Sequence, residues 1–262
     1  MNIIVCIKQV PDTTEVKLDP VTNTLIRDGV PSIINPDDKA GIEAALYLKE
    51  THGAHVTVVS MGPAQADKAL REALAMGCDE AVLLSDRAFG GADTWATSTT
   101  LSGALKQMEY DIVICGRQAI DGDTAQVGPQ LAERLGIPQV SYVEDIKVEG
   151  DKLIVRRQFE DRYHILEVKM PCLLTTLSEM NKPRYMSVAG VFDAYREKDV
   201  KVMTLEDIKD HIDVANIGLK GSPTRVKKSF TKTAKGAGTK YEVEPEEAVK
   251  VIMDTLAQKC II

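Results

Sequence analysis

The chain opens on an apolar run, Asn2-Ile3-Ile4-Val5-Cys6-Ile7, that predicts a strand over 2–7. Asn35-Pro36-Asp37-Asp38 then opens a helix, with Asn35 suited to the cap and Pro36 to the first turn. A second strand is expected at 55–59. It is followed by a helix over 67–76 that carries Ala66, Leu70, Ala73 and Leu74 on one face and stops at Gly77. A third strand at 81–84, a helix over 96–108 striped by Leu101, Ala104, Leu105 and Met108, and a fourth strand at 111–115 continue the alternation. A helix over 124–135, ended by Gly136 and Pro138, completes it. Repeated strand–helix units with apolar strands predict an α/β fold: a doubly wound, mainly parallel sheet covered by helices on both faces.

Beyond Pro138 the rhythm changes. Runs at 140–148, 152–159, 163–168 and 173–176, with Glu149-Gly150-Asp151 as a tight turn, predict antiparallel additions to the sheet. From about Arg196 the pattern weakens, so the expected organisation is a main domain over 1–195 and a C-terminal arm over 196–262. Within the arm, Pro245-Glu246-Glu247 begins a helix whose Val249, Ile252, Met253 and Leu256 form an apolar stripe that must dock on something.

Composition adds exclusions. The 262 residues are 44% hydrophobic and 27% charged, an ordinary globular balance. The net charge of −7 hides a basic stretch, Lys220, Arg225, Lys227, Lys228, Lys232, Lys235 and Lys240, with no acid among 220–240. The rest of the chain is therefore strongly acidic, which excludes a general nucleic-acid surface, and the basic stretch reads as an extended segment on a protein partner. No apolar run approaches a membrane span and Lys8 interrupts the opening one, so a cytoplasmic or matrix location without membrane insertion is expected. Cys6, Cys78, Cys115, Cys172 and Cys260 are widely spaced and read as buried small hydrophobes rather than a disulfide or metal framework. His52 and His55 have no completing ligands nearby, and no metal site is expected.

In an open parallel sheet, ligands bind beyond the carboxyl ends of the strands, where loops lead into helix N-termini. Here those loops are 8–14, 60–63, 85–98 and 116–128. The last, Gly116-Arg117-Gln118-Ala119-Ile120-Asp121-Gly122-Asp123-Thr124-Ala125-Gln126-Val127-Gly128, combines glycines that permit close approach with a helix start that can hold a phosphate. Asp123 or Thr124 capping the helix explains the same spacing equally well. The stretch Gly90-Gly91-Ala92-Asp93-Thr94-Trp95-Ala96-Thr97-Ser98 poses the same pair of readings, with hydroxyls that can donate to a pyrophosphate or cap a helix. The chain lacks a Walker-type phosphate loop, a Gly-x-Gly-x-x-Gly fingerprint and a nucleophile elbow, so a self-sufficient kinase, dehydrogenase or hydrolase has little support.

Val5-Cys6-Ile7-Lys8-Gln9-Val10-Pro11-Asp12, Asn35-Pro36, Gly62-Pro63-Ala64-Gln65, Ala73-Leu74-Ala75-Met76-Gly77, Gly116-Arg117-Gln118-Ala119-Ile120-Asp121 and Asn181-Lys182-Pro183-Arg184-Tyr185 together resemble the beta subunit of electron-transfer flavoproteins, over nearly the whole chain. The resemblance implies a Rossmann-like domain, pairing with a larger alpha subunit that bears FAD, and a second adenine nucleotide in this chain. By motif, that nucleotide contacts Cys6, Asn35, Pro36, Asp37, Asp38, Met61, and the segment from Gly116 through Arg117, Gln118, Ala119, Ile120, Asp121, Gly122, Asp123, Thr124, Ala125 and Gln126 to Val127. A loop of Tyr185, Met186, Val188, Val191 and Phe192 corresponds to the family's recognition loop for acyl-CoA dehydrogenases. Val188 stands where the family usually has leucine, and Arg162, Tyr163 and His164 depart from the family's hairpin, so no function is transferred to that hairpin.

Housekeeping members hold AMP in this site, whereas members of the electron-bifurcating group hold a second FAD. The 90–98 stretch resembles the latter, adding Asp93, Thr94, Ala96 and Thr97 to the expected contacts. The implied activity is acceptance of hydride from NADH by this FAD, with one electron passing to the alpha-subunit FAD and one to ferredoxin or flavodoxin. No side chain is assigned as a catalytic acid or base. The alternatives are a simple electron carrier with structural AMP and, from another class, an ATP-binding stress or signalling module.

Overall fold

Parallel strands form the centre of the molecule, in the order that the apolar runs predict. A computed structural model describes residues 1–12, 31–226, 236 and 238–262. They divide into one unit over Met1–Lys227 and another over Lys228–Ile262. The first unit runs β1 (Asn2–Ile7), β2 (Gln9–Pro11), β3 (Ser32–Ile34), α1 (Pro36–His52), β4 (His55–Met61), α2 (Asp67–Met76) and β5 (Glu80–Leu84). It continues with α3 (Thr94–Leu105), β6 (Ile112–Gly116), α4 (Val127–Leu135), β7 (Gln139–Glu149), β8 (Lys152–Gln158), β9 (Tyr163–Lys169), β10 (Cys172–Thr176), α5 (Val188–Arg196) and β11 (Val200–Met203).

The main sheet has nine strands in the order β11-β5-β4-β1-β6-β10-β7-β8-β9. Neighbours from β11 to β7 are parallel, and β7, β8 and β9 are antiparallel. The chain steps from β1 to β4 on one side and later returns to β6 on the other, so the topological switch point lies between β1 and β6. Alternate residues of β1 face opposite layers: Ile3, Val5 and Ile7 pack with Ile42, Leu46 and Leu70 of α1 and α2. Ile4 and Cys6 pack with Leu101, Leu105 and Leu131 of α3 and α4. This is the two-sided burial that continuous apolar strands require.

Several expectations are corrected. The 173–176 run is not antiparallel: β10 lies between β6 and β7 and is parallel to both, because its residues are buried on both faces. Helix α4 starts at Val127 rather than at 124, since Asp123 and Ala125 have left-handed φ of 54° and 53° and cannot belong to a right-handed helix. Helix α3 starts at Thr94, before the expected 96, because Asp93 accepts a hydrogen bond from Ala96 N at 3.0 Å and caps it. Cys260 is exposed, whereas the other cysteines are buried.

Three short strands escaped the pattern. Residues 9–11 and 32–34 form an antiparallel pair of their own, and 200–203 adds the edge strand β11 beside β5. Residues 196–226, expected as the beginning of the arm, thus lie in the first unit. In the second unit, α6 (Pro245–Gln258) has Pro at its start and Glu246 and Glu247 in its first turn, and its Val249, Ile252 and Met253 are exposed. Of the basic stretch, Lys227, Lys228, Lys232 and Lys235 lie outside the described residues. Among the described residues no helix is long and apolar enough to cross a membrane.

Candidate functional site

The carboxyl ends of β1 and β6 meet at the switch point, with Cys6 directly opposite Cys115. Both cysteines are buried. The Cys115 thiol is held well above the ordinary thiol range by its hydrogen bond with Cys6 and by burial, so this pair is a packing element rather than a thiolate. Above it, the start of α1 gathers the two strand ends. Asp38 accepts hydrogen bonds from the backbone N–H of Lys8, at 2.7 Å, and of Gly116, at 3.0 Å. A side chain at position 116 would drive its Cβ to 2.1 Å from Asp38 Oδ1, so only glycine fits there.

Asn35 occupies the cap position of α1 but makes no capping hydrogen bond. Instead its amide bridges the loop after β6, donating to Gln118 O at 2.8 Å and accepting from Ile120 N at 3.0 Å. The sequence reading placed Asn35 in the right position and assigned its side chain the wrong partner, because a loop distant in sequence outcompetes the local cap. Lys8 closes the same loop through an ion pair with the buried Asp121 at 2.6 Å. Asp37 accepts from Ser178 N at 3.0 Å, and its carbonyl accepts from the Thr176 hydroxyl at 3.0 Å. Burial pushes the Asp38 carboxyl up to about 7, against the opposing pull of hydrogen bonds from Asn35, Lys8 and Gly116.

The loop is not internally satisfied. Arg117 Nε approaches Asp37 Oδ2 to 3.2 Å, yet the two are not aligned for a hydrogen bond and both atoms are buried without a hydrogen-bond partner. Native interiors rarely leave such atoms alone, and their presence where this loop meets the start of α1 fits a polar group supplied from outside the chain. The left-handed residues Asp123 and Ala125 flank Thr124, and α4 begins without a side-chain cap. Capping by Asp123 or Thr124, one of the two readings of this spacing, is therefore absent. The loop instead leaves the start of α4 without a side-chain cap, the condition under which a helix N-terminus can receive an anion.

The second loop adjoins the first. Thr94 donates its hydroxyl to Gln126 Oε1 at 2.8 Å, tying the start of α3 to the start of α4. Asp93 is committed to structure: besides capping α3, its other oxygen accepts from Thr224 N at 2.9 Å and from the Thr224 hydroxyl at 2.7 Å. Burial opposes its ionisation, but these accepted bonds prevail and hold the carboxyl below its usual range. Thr97 is half-buried; its backbone N–H donates to Asp93 O at 2.9 Å, and its hydroxyl has no protein partner among the described residues. Ala96 is buried, and Met61 ends β4 at the same edge.

The structure thus brings Cys6, Asn35 to Asp38 and the 116–126 loop into one hydrogen-bonded cluster and sets Thr94 against it. The docking-loop residues lie elsewhere, on α5 and the turn before it. Sequence reasoning missed Thr176 and Ser178 as partners of Asp37 and Lys8 as the partner of Asp121. The position of Thr176 at the end of a parallel strand was the available signal, but it was obscured by the antiparallel reading of that strand.

An open sheet with this switch-point edge belongs to the doubly wound α/β class. Residues 22–208 match the family model described as electron transfer flavoprotein domain. The chain is 61% identical to an electron transfer flavoprotein subunit beta of Clostridium acetobutylicum, over 99% of both chains. It is 59% identical to the caffeyl-CoA reductase-Etf complex subunit CarD of Acetobacterium woodii, covering 91% of this chain and 90% of that one. It is also 48% identical to the acryloyl-CoA reductase electron transfer subunit gamma of Anaerotignum propionicum, over 100% of both. The chain belongs to the beta-subunit family of electron transfer flavoproteins.

Proposed function

We propose that this chain is the beta subunit of an electron-bifurcating flavoprotein heterodimer and that its switch-point site holds an FAD. The observation that carries the reading is the junction of the two loops, Thr94 hydroxyl to Gln126 at 2.8 Å, which gives a single ligand access to two helix starts. An AMP needs only one. Arg117 and the uncapped start of α4 are suited to the first phosphate, and the Thr97 hydroxyl, which has no protein partner among the described residues, to the second. FAD, when bound, supplies the redox chemistry, taking hydride from NADH and sending one electron to the alpha-subunit FAD and one to ferredoxin or flavodoxin. The protein's residues bind and orient; none acts as an acid or base.

The names of relatives from caffeyl-CoA and acryloyl-CoA reductase systems support a partner of the acyl-CoA dehydrogenase type, docked on Tyr185, Met186, Val188, Val191 and Phe192. All five are exposed, and Ser187 caps α5 behind them by accepting from Gly190 N at 2.9 Å. The 228–262 unit, with the apolar stripe of α6, is assigned to the alpha subunit.

Extracting the purified heterodimer and counting nucleotides tests the reading. Two FAD per heterodimer are expected. One FAD and one AMP would replace it with the simple electron carrier, and a lone chain saturated with ATP would return the stress-module alternative.

A further inference from the structure

Arg184 lies immediately before Tyr185, the most exposed residue of the docking loop at 92%. Its own guanidinium is fully engaged by α1. Nε donates to Glu43 at 2.9 and 3.1 Å, Nη2 donates to the same carboxylate at 2.9 Å, and both Nη groups reach Glu50. The Arg184 backbone N–H donates to Glu43 as well, at 2.9 Å. Glu43 and Glu50 are seven residues apart, two helical turns on one face, so they converge on a single planar cation. One turn earlier, Asn181 donates to Ala40 O at 3.0 Å.

The far side of the loop is held independently. Gly190 sits so close to α2 that a Cβ would lie 2.3 Å from Ala75 O, and Arg71 donates to the carbonyls of Ala194 and Lys198. Between these anchors, Tyr185 and Val188 (88% exposed) make no core of their own. A loop that is pinned at both ends and bare in the middle has its ordering entropy removed before a partner arrives, which is how preorganisation raises affinity.

We propose that Arg184 is the positioning residue of the docking loop: by clamping Glu43 and Glu50 it presents Tyr185 and Val188 in the orientation that the electron-accepting partner binds. This rests on the docking reading above. A lysine cannot reproduce the clamp, because only a guanidinium offers several donors in one plane to two carboxylates.

The test uses the flavin-loaded heterodimer and a purified acyl-CoA dehydrogenase that the wild-type protein reduces. In Arg184→Gln the loop populates the competent orientation for only a fraction of the time; if that fraction is about a tenth, KM for the dehydrogenase rises about tenfold. The kcat at saturating dehydrogenase and the bound flavin should stay as in wild type, a split that general damage to the fold would not give. Arg184→Lys should fall between. Should Arg184→Gln not fold, Glu50→Gln removes only the outer half of the clamp from an exposed position and should raise KM by a smaller factor at unchanged melting temperature. An unchanged KM in these variants, or a fall in kcat and flavin content matching the rise in KM, overturns the proposal. Val188→Asp separates the two levels. If it raises KM while the clamp variants do not, docking stands and the positioning role falls; if it too is silent, the loop is not the docking site and both fall.

Discussion

Asp38 is the residue on which the site's pH behaviour turns. Its carboxyl keeps its proton up to about 7 when folded, against an ordinary value of 3.8 in the open chain. Between those values the folded protein binds the extra proton, so its stability falls as pH rises from about 4 to 7 and recovers as pH is lowered again. A shift of this size corresponds to a few kcal/mol, roughly, at most. A nucleotide phosphate bound on the adjoining loop would raise the carboxyl further, so nucleotide binding near pH 7 should take up protons. Calorimetry in buffers of different ionisation enthalpy should detect that uptake in wild type and lose it in Asp38→Asn. The hydroxyls of Thr94 and Thr97 give a second test at this scale. Replacing both by Val removes the Thr97 donor, worth about 1.5–3 kcal/mol to a charged group, and the Thr94 hydroxyl that ties Gln126 to the start of α3, so affinity for the second FAD should drop by about one to two orders of magnitude. The variant should purify with about one FAD per heterodimer. Because Asp93 already caps α3, its melting temperature should barely move; a large loss of stability with both flavins retained would assign these hydroxyls to the fold.

Among the elements, α1 has two tasks. Its first turn binds the ends of β1 and β6 through Asp38, while Glu43 and Glu50 further along hold Arg184. Helix α5 is held to α2 both by the Arg71 bonds to the carbonyls of Ala194 and Lys198 and by a close approach that only glycine at position 190 permits. Gly190→Ala should push α5 off Ala75 O, lower the melting temperature and slow transfer to the dehydrogenase, with flavin content unchanged in fluorescence after extraction. Wild-type transfer in that variant would show that the docking surface tolerates displacement of α5.

At the scale of the whole molecule, the first unit carries the proposed nucleotide site and the second, short unit has a helix that displays Val249, Ile252 and Met253. An amphipathic helix of this length is marginal alone, because its stability comes from burying the apolar face. Deleting 245–262 should therefore weaken association with the alpha subunit in sedimentation while leaving the sheet of the first unit folded by circular dichroism. Undiminished association would place the subunit interface elsewhere.

Periodicity alone determined the alternation of β1, α1, β4, α2, β5, α3 and β6, and so the parallel sheet and the edge at which the candidate site lies, because strands buried on both faces and helices buried on one leave different apolar repeats. It also singled out the loop after β6 and placed Asp67–Met76 at both ends, since Gly77 marks the stop locally. Only the tertiary structure decided which partners the polar residues take. Asn35 gives up the local cap for Gln118 and Ile120, Asp93 keeps its cap and adds Thr224, and Thr176 passes from an apparent hairpin to a central parallel strand. The reason is common to all three. A hydrogen bond between residues many positions apart leaves no period in the sequence, and its strength depends on burial that exists only once the sheet has assembled.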